Sequence, residues 1–310
     1  MNISAIVITQ NEEKNLPRLM ASLKDCEEIL IFDNESTDKT KEIATKMGAK
    51  VFNRIDEFEI PTQKDVDDFT SKFGYKPSFT VQDKLKNSEK IRNKCLSFAK
   101  NDWVFFPDAD EIVTWSFADI KKMTEQCDQI ECKLIQSREP ETFNYIIKLF
   151  KKSRCSWQGR NHEVVVPFLP CAIIKTDLMK IDHYQIPKKD TIKPNLEYGI
   201  LKNNDSRSIF YLGREFYYEK NYNNAIEWFD RYIANPASLN ELAEVYYHKA
   251  LAFWNSQRGD EARTDCLHAI EINANMKKAH LLMATMIRPE MKPKLEKFAE
   301  MADNSNVVFP

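Results

Sequence analysis

Glycine is scarce in this chain, with six in 310 residues. That excludes a Gly-rich phosphate loop, a β-helix and a flexible Gly-based linker, all of which spend glycine where the backbone turns left-handed or lies against a ligand. Net charge is lacking too. Lys and Arg total 45 against 47 Asp and Glu, a formal charge of −2, so there is no electrostatic case for a nucleic-acid binder. Seven cysteines form no CxxC pair; Cys127 and Cys132 come closest, with four residues between them and no His nearby to complete a zinc site. The expectation is a set of reduced, mostly buried thiols. No apolar run approaches the ~20 residues that span a bilayer. The stretch Met1–Glu13 passes from an apolar segment straight into acids, unlike a secretory leader. These absences predict a soluble, cytoplasmic protein. What is present is 43% hydrophobic and 30% charged residues, enough for a real core in a chain long enough for two domains.

Ile3–Thr9 reads as a buried strand bounded by the polar run Gln10–Asn15. A helix follows, with Leu16, Leu19, Met20 and Leu23 on one face. Glu28–Phe32 is the next strand, and Asp33–Ser36 the loop at its carboxyl end. Ser36 or Thr37 is placed to cap a second helix ending at Gly48, before a third strand over Ala49–Phe52. Strands and helices alternating at this spacing predict a parallel sheet with helices on its faces. Residues 54–87 break the rhythm with acids, aromatics and prolines, and read as a partly helical insertion beside the sheet. Asn87 or Ser88 then caps a helix to about Lys100, and Trp103–Phe106 returns as a central strand ending on Pro107-Asp108-Ala109-Asp110-Glu111. Residues 130–184 look β-rich, with runs at Tyr145–Phe150, Glu163–Phe168 and Ala172–Ile174. Two prolines and several charges in Ile186–Pro194 mark a boundary.

Everything after about residue 200 reads as helix, and it contains a repeat. Leu212-Gly213, Phe216, Ala225, Phe229 and Pro236 recur loosely as Ala250, Phe253, Ala262, Cys266 and Ala269, with Ala225 to Ala262 a step of 37 residues. A partial third unit starts near Lys277. Small residues where helices touch, with aromatics beside them, resemble tetratricopeptide repeats. Two units and a fragment are few for a free-standing solenoid, so this region is expected to lean on the preceding domain or on another subunit.

Asp108-Ala109-Asp110 is the sharpest chemical signal. Ligands of open α/β sheets bind outside the carboxyl ends of the strands, and this pair stands at one such end. Two carboxylates alternating on an extended segment can address one cation, and Mg²⁺ takes one or two carboxylates and otherwise prefers phosphate oxygens and water. Asp33 stands at the carboxyl end of a second buried strand, where it can accept a hydrogen bond from a base edge or ribose. Thr9 and Glu12 stand at the end of the first, so three strand ends converge on one crevice. His162 can complete a metal shell, since neutral imidazole suits Mn²⁺, and Glu163 can serve as a general base.

The runs Ala5–Leu16 and Glu28–Asp38, the pair Arg92-Asn93 ahead of Trp103–Glu111, and His162-Glu163 together resemble the family 2 glycosyltransferases, the last pair resembling a bacterial branch that includes lipopolysaccharide-core and peptide glycosyltransferases. The resemblance covers about residues 1–185. It implies a GT-A domain (α/β, Rossmann-like, mostly parallel sheet with helices on both faces) over 1–195, followed by an all-α tetratricopeptide-like domain over 200–310. It further implies inverting transfer of a sugar from a nucleoside-diphosphate donor, with UDP favoured, assisted by Mn²⁺ or Mg²⁺. In family terms Asp33 contacts the base, Asp108 the ribose or metal, and Asp110 the metal with help from His162. Thr9, Asn11, Glu12, Arg92 and Ala109 fall in the stretches that bind donor nucleotide, and Glu163 and Asp110 carry the catalysis. Two departures stand out: the 54–87 insertion is long for this branch, and Pro107 replaces a more usual aliphatic residue.

The helical repeats and the lack of a membrane-docking segment favour a peptide or protein acceptor over a lipopolysaccharide or cell-surface glycan. The repeats are also a candidate homodimer face. A nucleotidyltransferase would share the sheet and metal but needs a basic Gly-rich loop after the first strand, where Gln10–Glu13 is acidic. A non-catalytic adaptor with a relic sheet domain is a third reading, and intact Asp33, Asp108 and Asp110 speak against it.

Overall fold

The structure, a computed structural model, describes residues 2–136, 139–184, 192–287 and 292–301. The boundary expected at 186–194 lies largely outside the described residues. The chain divides into two compact units, one of Met1–Glu57 with Asn87–Lys189 and one of Phe58–Lys86 with Asp190–Pro310.

The first unit opens with β1 (Ile3–Thr9), α1 (Leu16–Ser22), β2 (Glu28–Asp33), α2 (Thr40–Lys46) and β3 (Lys50–Asn53). The chain then leaves this unit through β4 (Phe58–Glu59), α3 (Gln63–Phe73) and β5 (Leu85–Lys86). It returns with α4 (Ser88–Leu96), β6 (Trp103–Phe105), β7 (Glu111–Trp115), α5 (Phe117–Met123), β8 (Gln129–Gln136), β9 (Glu139–Lys151), β10 (Cys155–Gln158), β11 (Val164–Pro167) and β12 (Ile173–His183). Eight strands form one sheet in the order β3-β2-β1-β6-β9-β8-β12-β7. The half built from β3, β2, β1 and β6 is parallel. Beyond it β9 runs antiparallel to β6 and β8, and β7 antiparallel to β12, so the β-rich stretch after residue 129 turns a parallel sheet into a mixed one.

Strand alternation sorts the core onto two faces. Ile3, Ala5 and Val7 pack with Leu16, Leu19, Met20 and Leu23 of the α1 region and with Ala44 of α2. Ile6, Leu30, Phe32 and Val104 pack on the other face with Cys95, Leu96 and Ala99. The second helix starts later than its polar lead-in suggested. Its N-cap position is Lys39, and Asp38 Oδ1 accepts the Thr40 N–H at 3.0 Å. Ser36 is otherwise engaged, its Oγ accepting the Asn11 N–H at 2.8 Å. Asn87 does cap α4, accepting the Lys90 N–H at 3.1 Å. All seven cysteines are free and five are buried. Burial pushes the Cys132 thiol up to about 12, which leaves it inert at neutral pH.

The second unit consists of α6 (Lys193–Asn203), α7 (Ser206–Tyr218), α8 (Tyr222–Ala234), α9 (Leu239–Asn255), α10 (Gly259–Ile272), α11 (Lys277–Met286) and α12 (Lys292–Met301), together with the 58–86 segment. That segment was expected beside the sheet; its hydrophobic side chains instead enter the helical core. Val66, Phe69, Phe79 and Leu85 cluster with Leu196, Phe216, Trp228 and Phe229. Buried Glu197 of α6 accepts hydrogen bonds from the Tyr75 hydroxyl at 3.2 Å and the Ser78 N–H at 2.5 Å, and Lys202 pairs with Asp65.

The repeat period is visible in backbone geometry. Lys220 after α7 and Gln257 after α9, 37 residues apart, both adopt a left-handed conformation, with φ of 61° and 63°. The next residues, Asn221 and Arg258, donate their N–H groups to Phe216 and Phe253, each at 2.9 Å. This is a Schellman-type helix end repeated without glycine. Gly213 of α7 is required by contact: a Cβ there would lie 2.6 Å from the Phe229 ring. One period later the pair becomes Ala250 and Cys266, a larger residue facing a smaller one, both buried in one cluster.

Candidate functional site

The carboxyl ends of β1, β2 and β6 gather most of the predicted residues. Thr9 and Asp33 are register partners in the parallel β1–β2 pair, and the Asn34 N–H donates to the Thr9 carbonyl at 2.8 Å. Asp33 is fully buried. Its Oδ2 accepts the Ser36 N–H at 2.9 Å and lies 3.3 Å from Lys41 Nζ, while its Oδ1 and Thr9 Oγ1 are buried with no hydrogen-bond partner. Other buried side-chain atoms among the described residues share this state, Trp115 Nε1 and Trp157 Nε1 among them; Asp33 Oδ1 and Thr9 Oγ1 are set apart by standing together on adjacent strand ends.

Exposed Asn11 and half-buried Glu12 brace the loops. Asn11 sits at φ 56°, its Oδ1 accepting the Thr37 N–H at 2.8 Å. The Glu12 N–H donates to Thr40 Oγ1 at 2.8 Å, and its carboxylate accepts Asn15 Nδ2 at 2.8 Å. The β1–α1 and β2–α2 loops thereby hold each other.

The second cluster lies past the end of β6. Asp108 is held on both oxygens, with Lys148 Nζ 2.7 Å from Oδ2 and Arg92 Nη2 3.3 Å from Oδ1. Arg92 also pairs with Glu163, and its guanidinium lies 4.8 Å from the Phe106 ring centroid and 4.7 Å from that of Trp157. Asn93, next on α4, fixes β10 by two hydrogen bonds to the Trp157 backbone, at 2.8 and 2.9 Å. The Glu89 carboxylate accepts the Gly159 N–H at 2.8 Å. Residues 159–163 form the turn between the antiparallel strands β10 and β11. Gly159 and His162 take left-handed backbones there, with φ of 107° and 53°, and Glu163 follows His162 to meet Arg92. Ala109 is buried between the two aspartates.

Asp110 has a partner that sequence reasoning missed. His183 at the end of β12 sits across from Glu111 of β7, and its Nε2 lies 3.5 Å from Asp110 Oδ2. The Asp110 carbonyl accepts the Tyr184 N–H at 2.9 Å. Burial alone would lower the His183 imidazole; the hydrogen bond to Asp110 and the nearby carboxylates of Glu111 and Asp108 outweigh it and raise it above its usual value. Lys148 and Glu111 were also missed. The signal for Lys148 was a lone cation inside the apolar run Ile146-Ile147-Lys148-Leu149-Phe150, which a buried strand tolerates only with an acidic partner. His183 carries no comparable mark, because β12 alternates irregularly.

Partial burial opposes the Asp108 charge, yet Lys148 and Arg92 hold its carboxyl well below the usual carboxylate range. The same contacts hold Lys148 and Arg92 firmly protonated. Glu111 is different: burial dominates and raises its carboxyl despite Lys148.

Among the described residues no three His, Cys, Asp or Glu side chains are grouped to hold a metal ion. The Asp110 carboxylate fits a hard cation that takes one or two protein carboxylates and fills its shell with phosphate oxygens and water.

Residues 4–57 match the family described as Glycosyl transferase family 2. Over 55 residues the chain is 47% identical to the 4,4'-diaponeurosporenoate glycosyltransferase of Staphylococcus haemolyticus (strain JCSC1435), covering 17% of this chain and 15% of that protein. It is 22% identical over 259 residues to the SPbeta prophage-derived glycosyltransferase SunS of Bacillus subtilis (strain 168), covering 77% and 55%. Among solved structures, the second TPR of Spaghetti (RPAP3) bound to an HSP90 peptide is 25% identical with a TM-score of 0.26, covering 34% of this chain and 92% of that one. The chain thus spans about half or less of the length of these curated relatives. Residues 4–57 are thus similar to family 2 glycosyltransferases and lie in a unit of mixed α/β architecture, and the helices of the second unit are similar to tetratricopeptide repeats. Among the described residues no helix is long and apolar enough to cross a membrane.

Proposed function

We propose that the sheet unit, residues 1–57 with 87 to about 189, is a metal-assisted inverting glycosyltransferase using a nucleoside-diphosphate sugar, with UDP as the nucleotide. The observation that carries this reading is the pair of buried, unpartnered atoms Thr9 Oγ1 and Asp33 Oδ1 on adjacent strand ends. They suit the donor and acceptor groups of a base or ribose. Arg92 holds Asp108 for the ribose or metal. Asp110, with His183 next to it and His162 on the neighbouring turn, would hold Mn²⁺ or Mg²⁺. Such an ion supplies charge stabilisation for the departing diphosphate. The acceptor oxygen or sulfur attacks the anomeric carbon as the bond to diphosphate breaks, and Glu163, steadied by Arg92, takes the acceptor proton. Holding donor and acceptor together supplies much of the remaining acceleration. The repeat-like helices support a polypeptide acceptor.

The test is nucleotide release from a panel of UDP-, GDP- and CMP-sugars with Mn²⁺, Mg²⁺ or EDTA. One donor should be hydrolysed in a metal-dependent way, and Asp110→Ala should lower turnover by ~10²-fold or more. No release and no thermal stabilisation by any nucleotide with either metal would overturn the reading.

A further inference from the structure

The strand-end chemistry leaves one buried cation without a task. We propose that Lys148 is a positioning residue of the donor site, whose ammonium sets the Asp108–Glu111 turn and so the directions in which Asp108 and Asp110 present their carboxylates. The inference rests on the transferase reading of that site.

The geometry begins in the sheet. β9 pairs with β6 so that Leu149 faces Phe105, and the Phe106 N–H donates to the Lys148 carbonyl at 2.9 Å. Lys148 is therefore anchored by its backbone beside the last ordered step of the strand that leads to Asp108. Its Nζ reaches Asp108 Oδ2 at 2.7 Å and Glu111 Oε1 at 2.6 Å. Glu111 closes the turn on itself: its Oε2 accepts the Asp108 N–H at 2.9 Å, and its own N–H donates to the Asp108 carbonyl at 3.1 Å. One ammonium thus ties the two ends of the turn that carries Asp110 at its centre.

Exposure rises in steps along this path. The Glu111 side chain is 1% exposed, Lys148 6% and Asp108 43%, so the ion pair runs from the core to an open carboxylate. A buried pair of this kind adds little that apolar side chains of similar volume would not give to stability. Its distinctive product is a fixed direction for Asp108. Charge points the same way. Asp108, Asp110, Glu111 and Glu163 stand against Arg92, Lys148 and the His183 imidazole; without Lys148 the carboxylates repel one another and the turn loses its tie.

The test uses the full chain with Lys148→Met, Lys148→Arg and the double variant Lys148→Met/Glu111→Gln. UDP binding in Mn²⁺ is measured by calorimetry, and kcat and KM on the UDP-sugar by nucleotide release. Lys148→Met should weaken UDP–Mn²⁺ binding and lower kcat by ~10- to 100-fold each, with Lys148→Arg recovering most of both. The double variant leaves no uncompensated buried charge, so it should fold and still bind weakly; it carries the test should Lys148→Met fail to fold. A purely structural role would lower the unfolding temperature while leaving the Kd of folded protein unchanged, and that result overturns the inference alone. Failure of the wild-type chain to bind any nucleotide with either metal overturns the transferase reading and this inference with it.

Discussion

The two units bury charge differently. In the helical unit three buried carboxylates are paired with a cation where they stand, Glu244 by Lys278, Glu241 by Arg207 and Asp265 by Lys249, while Glu197 is held by the Tyr75 hydroxyl and the Ser78 N–H. These pairs sit apart from one another, each tying one or two helices. In the sheet unit Glu28 and Asp33 are matched in the same way, by Lys50 and Lys41, but past the end of β6 the ionisable groups crowd together, with four carboxylates sharing two permanent cations and one imidazole. Scattered, locally balanced pairs fix helices in register. A crowded, unbalanced cluster costs stability and is retained where it meets a ligand. The cores differ in parallel: aliphatic residues predominate on one face of the sheet, whereas aromatic rings are prominent among the helices.

This contrast can be broken at the aromatic core. Phe69 of α3 is fully buried and meets Phe73, Tyr75 and Phe79 with ring centroids 4.5, 5.4 and 5.7 Å away. Phe69→Ala should destabilise the helical unit by about 3–5 kcal/mol, although the residue lies between stretches of the sheet unit in sequence. Hydrogen exchange resolved along the chain checks it: protection should fall in α6–α8 and persist in β1 and β2. Loss confined to β1 and β2 would refute the assignment of the segment to the helices. A smaller effect is expected at Gly213→Ala, where the added Cβ meets a buried ring that has nowhere to go. Overpacking of about 1–3 kcal/mol should outweigh the gain in helix propensity, and Gly213→Ala combined with Phe229→Leu should recover part of it in thermal unfolding.

The smallest effect sharpens the electrostatic side. Burial, with Arg214 and Lys278 nearby, holds the His248 imidazole well below its usual value of 6.5, against a hydrogen bond to the Glu244 carbonyl. Folded His248 stays neutral while the unfolded chain takes up a proton below about pH 6.5, so stability is present above that pH and is lost as pH falls. The slope from this residue is up to about 1.4 kcal/mol per pH unit. Glu244 contributes the opposite slope, because burial raises its carboxyl. Unfolding profiles of wild type and His248→Gln should therefore run parallel above pH 6.5 and diverge below it; profiles that stay parallel at pH 5 would contradict the neutral imidazole.

Much of the fold was legible because its signals are local. β1, β2 and the strand at Trp103 are apolar runs with polar ends, and Asn87 caps a helix by its own side chain. The step of 37 residues reappeared as paired left-handed turns at Lys220 and Gln257. What could not be read depends on partners distant in sequence. Lys148 and His183 acquire meaning only when β9 and β12 take their places in the sheet, 40 and 73 residues from the aspartates they touch. Residues 58–86 hold Val66, Phe69 and Phe73 at helical spacing on α3, but their apolar side chains answer to helices more than a hundred residues away, which no local pattern reveals. Ser36 looked like a cap because nothing local marks its hydroxyl as the acceptor of the Asn11 N–H.

The excursion through residues 58–86 bears on inheritance. Because the chain crosses between the two units at residues 57, 86 and 189, the helical unit is not a cassette that one recombination event can append or remove. Any ancestor that acquired these helices had to gain or refashion the interior segment as well, so the two units are expected to have diverged together, and grafting the helices onto another transferase requires two insertions rather than one fusion.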